Sequence, residues 1–556
     1  MNPRIPYNPD KRRTGQGNSG GGCGARLFWL LVPALALAGY WGIRSGSLSA
    51  AIAALGATPN PATVTAAAAA TPAPIRPQPS ATPPGALTGA ATDAAATEPA
   101  PTNPDLPTST LRPPPSPSPT ALAAAAATQF YMTQSGDTIP ALAARFGVNP
   151  ANIKAPSGLK GVTTLVSGQL LVIPRVLGEV GPGAKLIPDS ELVFSGAAAG
   201  FDPAKFAADQ GGYLSKVSGF ASGHSASGGA VIMSAALEHS VNPRLLVAVL
   251  EFDSGWVTNP QPQGDSLKYP YGYVHPYLVN LNSQLTWATS QLAIGFYGWR
   301  DGSLTELHFP DGTSLRLDPT LNAGTVALQY YFAQFMNRPA WDKAVSAEGF
   351  GATYHGLFGD PFARALDPLV PPDLTQLPLS LPFMAGSTWY LTGGPHGAWE
   401  LGGAQAALDF APGAIVGGCA ESNAWVTAVA AGLVLRSDAG VVLLDLDGDG
   451  RETTGWDILY LHIATKDRVA AGTLVERGQP IGHPSCEGGR ATGSHVHIAR
   501  KYNGEWIPAY GPVPFNLSGW VAAQGKGEYF GSLSRNGVTV EACTCASSST
   551  AVTADP

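Results

Sequence analysis

The chain has 556 residues, too many for one ordinary domain, and only 13% of them are charged. Its 67 glycines and 50 prolines make up about a fifth of the sequence, which points to linkers and loop-rich β structure and excludes a coiled coil or helical solenoid. The net charge is −7, and five of the 32 basic residues precede residue 27, so no basic surface is left for nucleic-acid binding.

Taken in chain order, Arg4, Lys11, Arg12, Arg13 and Arg26 precede the uncharged apolar run Leu27–Ile43. A run of that length is just able to cross a hydrocarbon core of about 30 Å. The basic flank predicts a cytoplasmic tail at 1–26, a transmembrane helix at 27–43 and an outward-facing remainder. Ala36-Leu37-Ala38 fits a small-x-small cleavage site, so a signal peptide is the competing reading. The chain is expected in the cell membrane as a single-pass protein, or secreted if that segment is removed. Residues 45–128 hold no aromatic side chain and only Arg76, Asp93, Glu98, Asp105 and Arg112 as charges. Such an Ala/Pro/Thr stretch has nothing to bury and is expected to be a disordered linker.

Residues 130–174 predict a strand at Phe130–Gln134, a helix from Ile139 to Phe146 capped by Asp137 or Thr138 and closed by Gly147, a second helix from Asn149-Pro150 to Ile153, and a strand at Gln169–Ile173. That small βααβ order, with the words SGDT, RFGV and GQLLVIP, resembles a LysM domain. The resemblance implies a module that binds N-acetylglucosamine-containing glycan, and hence peptidoglycan as a partner.

Residues 180–372 predict a mainly helical domain, with helices at Ala230–His239, Pro243–Phe252, Trp287–Trp299 and Ala323–Asn337 and a hairpin turning at Pro310-Asp311-Gly312. The phrase HSVNPRLLVAVLEFDSGWV resembles a helix of lysozyme-like lytic transglycosylases, with Asp253 and Glu251 near the position of their acid. That resemblance implies glycan-strand cleavage if a carboxyl there is kept protonated. A silent glycan-binding or spacer domain is the other reading.

A Pro-rich junction at 366–382 leads into residues 376–545, where five of the ten histidines fall between 396 and 497, with an eleven-residue tail at 546–556. GSHVHIA reads as a strand, so alternation places His495 and His497 on one face. The β-type runs 426–435, 440–446 and 458–462 supply a sheet that can bring His462 beside them. Neutral imidazoles and a carboxylate suit a tetrahedral Zn2+ with one open position, which activates water.

The set GGPH, LDFA, ILYLHIA and GSHVHIA closely resembles the β-lytic branch of the lysostaphin/β-lytic zinc metalloendopeptidases, which cut peptide cross-links of peptidoglycan. The commoner branch has a histidine four residues before its aspartate, where this chain has Gln405. The resemblance implies a mostly antiparallel β domain with His396, Asp409 and His497 as zinc ligands. It further implies His495 as base and His462 as stabiliser of the tetrahedral intermediate. A non-catalytic wall-binding or division-regulating protein is the alternative.

His483 matches no motif position and is expected to be a hydrogen-bonded loop residue. Cys419 and Cys486 are expected to pair in an oxidising compartment. Cys543 and Cys545 are too close in sequence for an unstrained mutual bridge and are expected to be free or to pair elsewhere. Asp445, Asp447, Asp449 and Gly450 mimic the start of an EF-hand loop, but position 12 is Trp456, so a polar hairpin turn is expected over a Ca2+ site.

Overall fold

The computed structural model describes residues 127–161, 163–399, 402–413, 418–420, 422–545 and 547–556. The expected tail, membrane segment 27–43 and nearly all of the linker lie outside the described residues. Among the described residues, no helix is long and apolar enough to cross a membrane.

The first folded piece pairs β1 (Thr128–Met132) antiparallel with β2 (Leu170–Pro174) around helix α1 (Ile139–Phe146). Thr138 caps α1 by accepting from the Ala141 amide, and Gly147 ends it in the left-handed region at φ 66°. Asp137 is fully buried and accepts from the Tyr131 hydroxyl, the Gln134 amide and Arg145, each at 2.7 Å. The second predicted helix is a correction: Pro150–Asn152 forms only a 3₁₀ turn capped by Asn149, because a three-residue segment closes too few bonds to propagate an α-helix.

The middle region opens with α2 (Pro203–Gln210) and the hairpin β3 (Ser218–Ala221) and β4 (His224–Ser227), then α3 (Gly228–His239) and α4 (Pro243–Ser254). The long α5 (Leu281–Asp301), the hairpin β5 (Glu306–His308) and β6 (Ser314–Arg316), α6 (Ala323–Ala333), α7 (Arg338–Ala344) and α8 (Phe350–Phe358) follow. The expected helices are present with shifted ends. Capped by Asn280, α5 starts at Leu281, six residues before the predicted start, and α6 stops at Ala333, four residues before the predicted end.

The last third is antiparallel β: β7 (Thr388–His396), β8 (Ala407–Pro412), β9 (Val426–Thr427), β10 (Gly432–Asp438), β11 (Val441–Asp445), β12 (Trp456–Leu461), β13 (Leu474–Val475), β14 (Pro480–Gly482), β15 (Val496–Tyr502) and β16 (Glu505–Trp506). It ends with β17 (Asn516–Leu517), β18 (Trp520–Gln524), β19 (Gly531–Arg535), β20 (Val538–Glu541) and β21 (Ala551–Thr553). The main sheet runs β13-β10-β11-β12-β15-β8-β7-β21, with β16 added to β15. The single run expected over 426–435 is split, because β9 pairs with β14 in a small separate sheet while β10 joins the main one.

The two faces of the main sheet have different neighbours. Leu408, Phe410, Val442, Leu444, Ile458, Tyr460, Val496 and Ile498 pack with Leu517, Trp520, Leu533 and Val540 of the four-stranded β17–β20 sheet. Val441, Leu443, Leu459, Leu461 and Ala499 on the opposite face join the helical core of α3–α6. Alternation along β8 and β15 therefore puts Asp409 and His497 on the face that meets the helices.

Candidate metal centre

The site grows from a register. Asp409 on β8 and His497 on β15 are direct cross-strand partners, and Leu461 at the end of β12 is the partner of His497 on its other side. His396 closes β7, and two register shifts between Leu391 and His396 turn its ring in beside Asp409. Gly393 makes this approach possible, since a Cβ there would lie 2.5 Å from Asp409 Oδ2.

The donor atoms converge. Asp409 Oδ1 lies 3.3 Å from His396 Nε2 and 3.2 Å from His497 Nδ1, and those two nitrogens are 3.0 Å apart. All three residues are buried, and Asp409 Oδ1 has no hydrogen-bond partner. Four ligands at 2.0–2.1 Å around a tetrahedral zinc are about 3.3 Å from one another, so this triangle fits such an ion. His495 Nε2 stands 3.6 Å from the same oxygen, and the His462 and His495 rings are 4.5 Å apart.

Backbone carbonyls set the tautomers. His396 Nδ1 donates to the Gly394 carbonyl at 2.8 Å, and His497 Nε2 donates to the Ala398 carbonyl at 2.9 Å. His495 Nδ1 donates to the Gly493 carbonyl at 2.8 Å, and His462 Nδ1 to that of Glu487 at 2.9 Å. In each neutral ring the other nitrogen is then a bare lone pair. Those of His396, His497 and His495 point at Asp409 Oδ1.

The electrostatics follow from burial and proximity. Burial opposes ionisation of Asp409, but the neighbouring imidazoles, His396 first and then His495, hold its carboxyl well below the usual range. Burial would lower His396, yet the Asp409 charge raises it. Burial, and then the charges of His495 and His497, push His462 down to about 3. His462 also takes φ 65°, a left-handed conformation that costs of order 1–3 kcal/mol outside glycine and tends to mark functional positions.

The Cys419–Cys486 bridge forms as expected and fixes the segment whose next residue, Glu487, orients His462. Cys543 and Cys545 are also joined, against the expectation, because the chain there brings their Cα atoms to 5.0 Å. His483 Nδ1 donates to the Ala424 carbonyl at 2.8 Å, its Nε2 lies 3.4 Å from Asp467 Oδ2, and its ring packs on Trp425, as a loop residue should. Tyr529, whose ring stacks on His396 with centroids 4.1 Å apart, was missed by sequence reasoning, since nothing in its spacing signals it.

In the helical region Glu251 is fully occupied by the turn after α4, accepting from the amides of Val257 and Thr258 and from the Thr258 hydroxyl. Asp253 Oδ2 lies 2.7 Å from the Tyr331 hydroxyl. The two carboxyls are thus far from the histidine cluster in sequence and in partners.

Comparison with known proteins gives this geometry a context. A model described as LasA, N-terminal domain, matches residues 185–371, and a LysM domain model matches 131–174. The helical region is thus the part of the chain that the LasA N-terminal domain model matches. Protease LasA of Pseudomonas aeruginosa is 24% identical over 304 residues, which cover 50% of this chain and 68% of that protein. The beta-lytic metalloendopeptidase of Lysobacter enzymogenes is 28% identical over 151 residues, 27% of this chain and 81% of that one. The solved structure of the metalloprotease pseudoalterin from the deep sea covers 30% of this chain and 96% of its own, at 24% identity and a TM-score of 0.26. The chain carries LysM and LasA N-terminal-type domains and is similar to Protease LasA and to the beta-lytic metalloendopeptidases, which supports a metalloendopeptidase.

Proposed function

We propose that this chain is an exported, wall-associated endopeptidase that hydrolyses peptide cross-links of peptidoglycan, with His396, Asp409 and His497 holding zinc and His495 and His462 handling protons. The observation that carries the reading is the convergence of three buried ligand atoms on one point, each histidine oriented by a carbonyl bond from its other nitrogen. Zinc bound there supplies a Lewis acid that acidifies water and polarises a peptide carbonyl.

The chain's own residues do the rest. His495 presents its Nε2 lone pair beside Asp409 and accepts a proton first. His462, adjacent to it and held by Glu487, is placed to pass a proton to the carbonyl oxygen or the departing amine once it carries one. A neutral His462 in this tautomer accepts rather than donates, so its expected role as oxyanion stabiliser belongs to its protonated form. LysM holds the enzyme on the glycan, and residues 27–43 are read as the anchor or export segment, with peptidoglycan and, through that segment, the membrane as partners.

The test is zinc content and amine release from purified peptidoglycan, with and without chelator. One zinc per chain and chelator-sensitive release of amino groups are expected. Zinc without release would support the non-catalytic wall-binding reading, and new reducing ends would move the chemistry to the helical region.

A further inference from the structure

The β11–β12 hairpin carries a group of acidic side chains that the peptidase chemistry does not use. Ligand oxygens of Asp445, Asp447 and Asp449 all lie within 4.8 Å of one another. Asp445 is fully buried; its Oδ1 accepts from the amides of Asp447 and Gly448, and its Oδ2 from that of Gly450. Asp449 is tied to the Arg451 amide and the Thr454 hydroxyl. A turn that wraps itself around its own carboxylates needs no ion, so the group alone says little.

Asp457 changes the argument. It is fully buried, and neither of its carboxylate oxygens has a hydrogen-bond partner. An orphaned buried carboxylate costs several kcal/mol unless something compensates it. In the strand register Asp457 stands directly opposite Asp445, and directly opposite residues of an antiparallel pair project from the same face with Cβ atoms about 5 Å apart. Its partner on the other side is Lys501, but that ammonium goes to Glu452, which also takes Arg436. Among the described residues no cation lies within ion-pair distance of Asp457. Five carboxylates (Asp445, Asp447, Asp449, Glu452 and Asp457) thus share Lys501 and Arg436, with Arg451 exposed on the turn.

We propose that Asp445, Asp447, Asp449 and Asp457 form a calcium site in the β11–β12 hairpin. The spacing Asp-x-Asp-x-Asp-Gly is that of the first half of an EF-hand loop. The bidentate acid that such a loop has at position 12 is supplied one residue later, at position 13, because here the chain returns as a strand and not as a helix. An all-oxygen set of carboxylates suits calcium, which takes 6–8 oxygens at 2.3–2.6 Å; zinc favours nitrogen and sulfur, and magnesium keeps much of its water. Asp445, Asp457 and Lys501 lie in one cross-strand row on the sheet face that also bears Asp409 and His497. The ion would therefore fasten the strand β12, whose last residue Leu461 precedes His462.

The experiment uses the purified full chain with its zinc, dialysed to trace calcium. Bound calcium is read by metal analysis after equilibrium dialysis, and the Tm is followed as calcium alone is raised to millimolar. One calcium per chain and a Tm that climbs with calcium, but not with magnesium, are expected. Asp449→Asn, an exposed change, should keep the calcium-free Tm and lose most of the climb. Asp457→Asn should leave the calcium-free Tm little changed and abolish the climb. No bound calcium, an equal climb with magnesium, or a climb that survives in Asp449→Asn or Asp457→Asn would overturn the proposal.

Discussion

Asp409 and Asp253 are aspartates of the same folded body that face different company. Asp409 Oδ1 meets three imidazole nitrogens at 3.2–3.6 Å, whereas Asp253 Oδ2 meets the Tyr331 hydroxyl at 2.7 Å. Around Asp409 the histidines outweigh burial and keep the carboxyl ionised. Around Asp253 burial dominates and pushes the carboxyl up to about 8, with the Tyr331 bond pulling only partly the other way. Tyr331 has one hydroxyl hydrogen and lies 2.7 Å from both Asp253 Oδ2 and the Tyr271 carbonyl. The carbonyl can only accept, so both contacts are satisfied together when Asp253 itself carries a proton. Identical side chains thus become a metal ligand in one region and a neutral hydrogen-bond donor in the other, through the groups that face them.

The comparison can be broken most severely at the metal side. His497→Ala removes one corner of the triangle and leaves Asp409 without its cross-strand partner. Zinc content and amine release should both fall to background. His495→Ala leaves the three ligands in place, so zinc should stay while turnover drops about 10²–10⁴-fold, the usual worth of a general base. Full activity in that variant would remove His495 from the mechanism. Gly393→Ala sets a methyl 2.5 Å from Asp409 Oδ2 while keeping all three ligand residues in the chain. The carboxylate must rotate or the strands part, and zinc affinity should fall about 10–100-fold, the range for groups that orient ligands. Competition with a colorimetric chelator measures it.

How far the sequence disclosed this arrangement depends on which atoms do the work. His495 and His497 could be placed on one face because strand alternation is fixed, and the β-type runs around them gave away the sheet. His396 and Asp409 lie thirteen residues apart across a loop, and only the family resemblance joined them. The tautomer-setting groups are backbone carbonyls of Gly394, Ala398, Gly493 and Glu487, and a carbonyl leaves no signature in residue type. Gly393 was one glycine among many until Asp409 Oδ2 was seen against it. In the LysM segment, Asn149-Pro150 signalled a helix start correctly, but the strand β2 claimed the following residues and left a 3₁₀ turn. Asp457 was overlooked because the loop was read against a helix-return template, while this chain returns as β12 and shifts the last acid by one.

The smallest effect tests the other half of the comparison. Asp253→Asn replaces a neutral acid by a neutral amide of the same shape, which can still donate to Tyr331. An unfolded aspartate titrates near 3.9, and the folded Asp253 near 8. Between about pH 4 and 8 the folded state holds a proton that the unfolded state has lost, so wild-type stability should fall as pH rises through that window. Asparagine has no such proton and no such fall. The Tm difference between the two should be smallest near pH 4 and should grow in favour of the variant toward pH 8. Amine release should not change, since Asp253 touches none of the histidine cluster. A Tm gap that stays constant with pH would mean that Asp253 is ionised in the folded chain, and the contrast with Asp409 would collapse into two carboxylates of like charge.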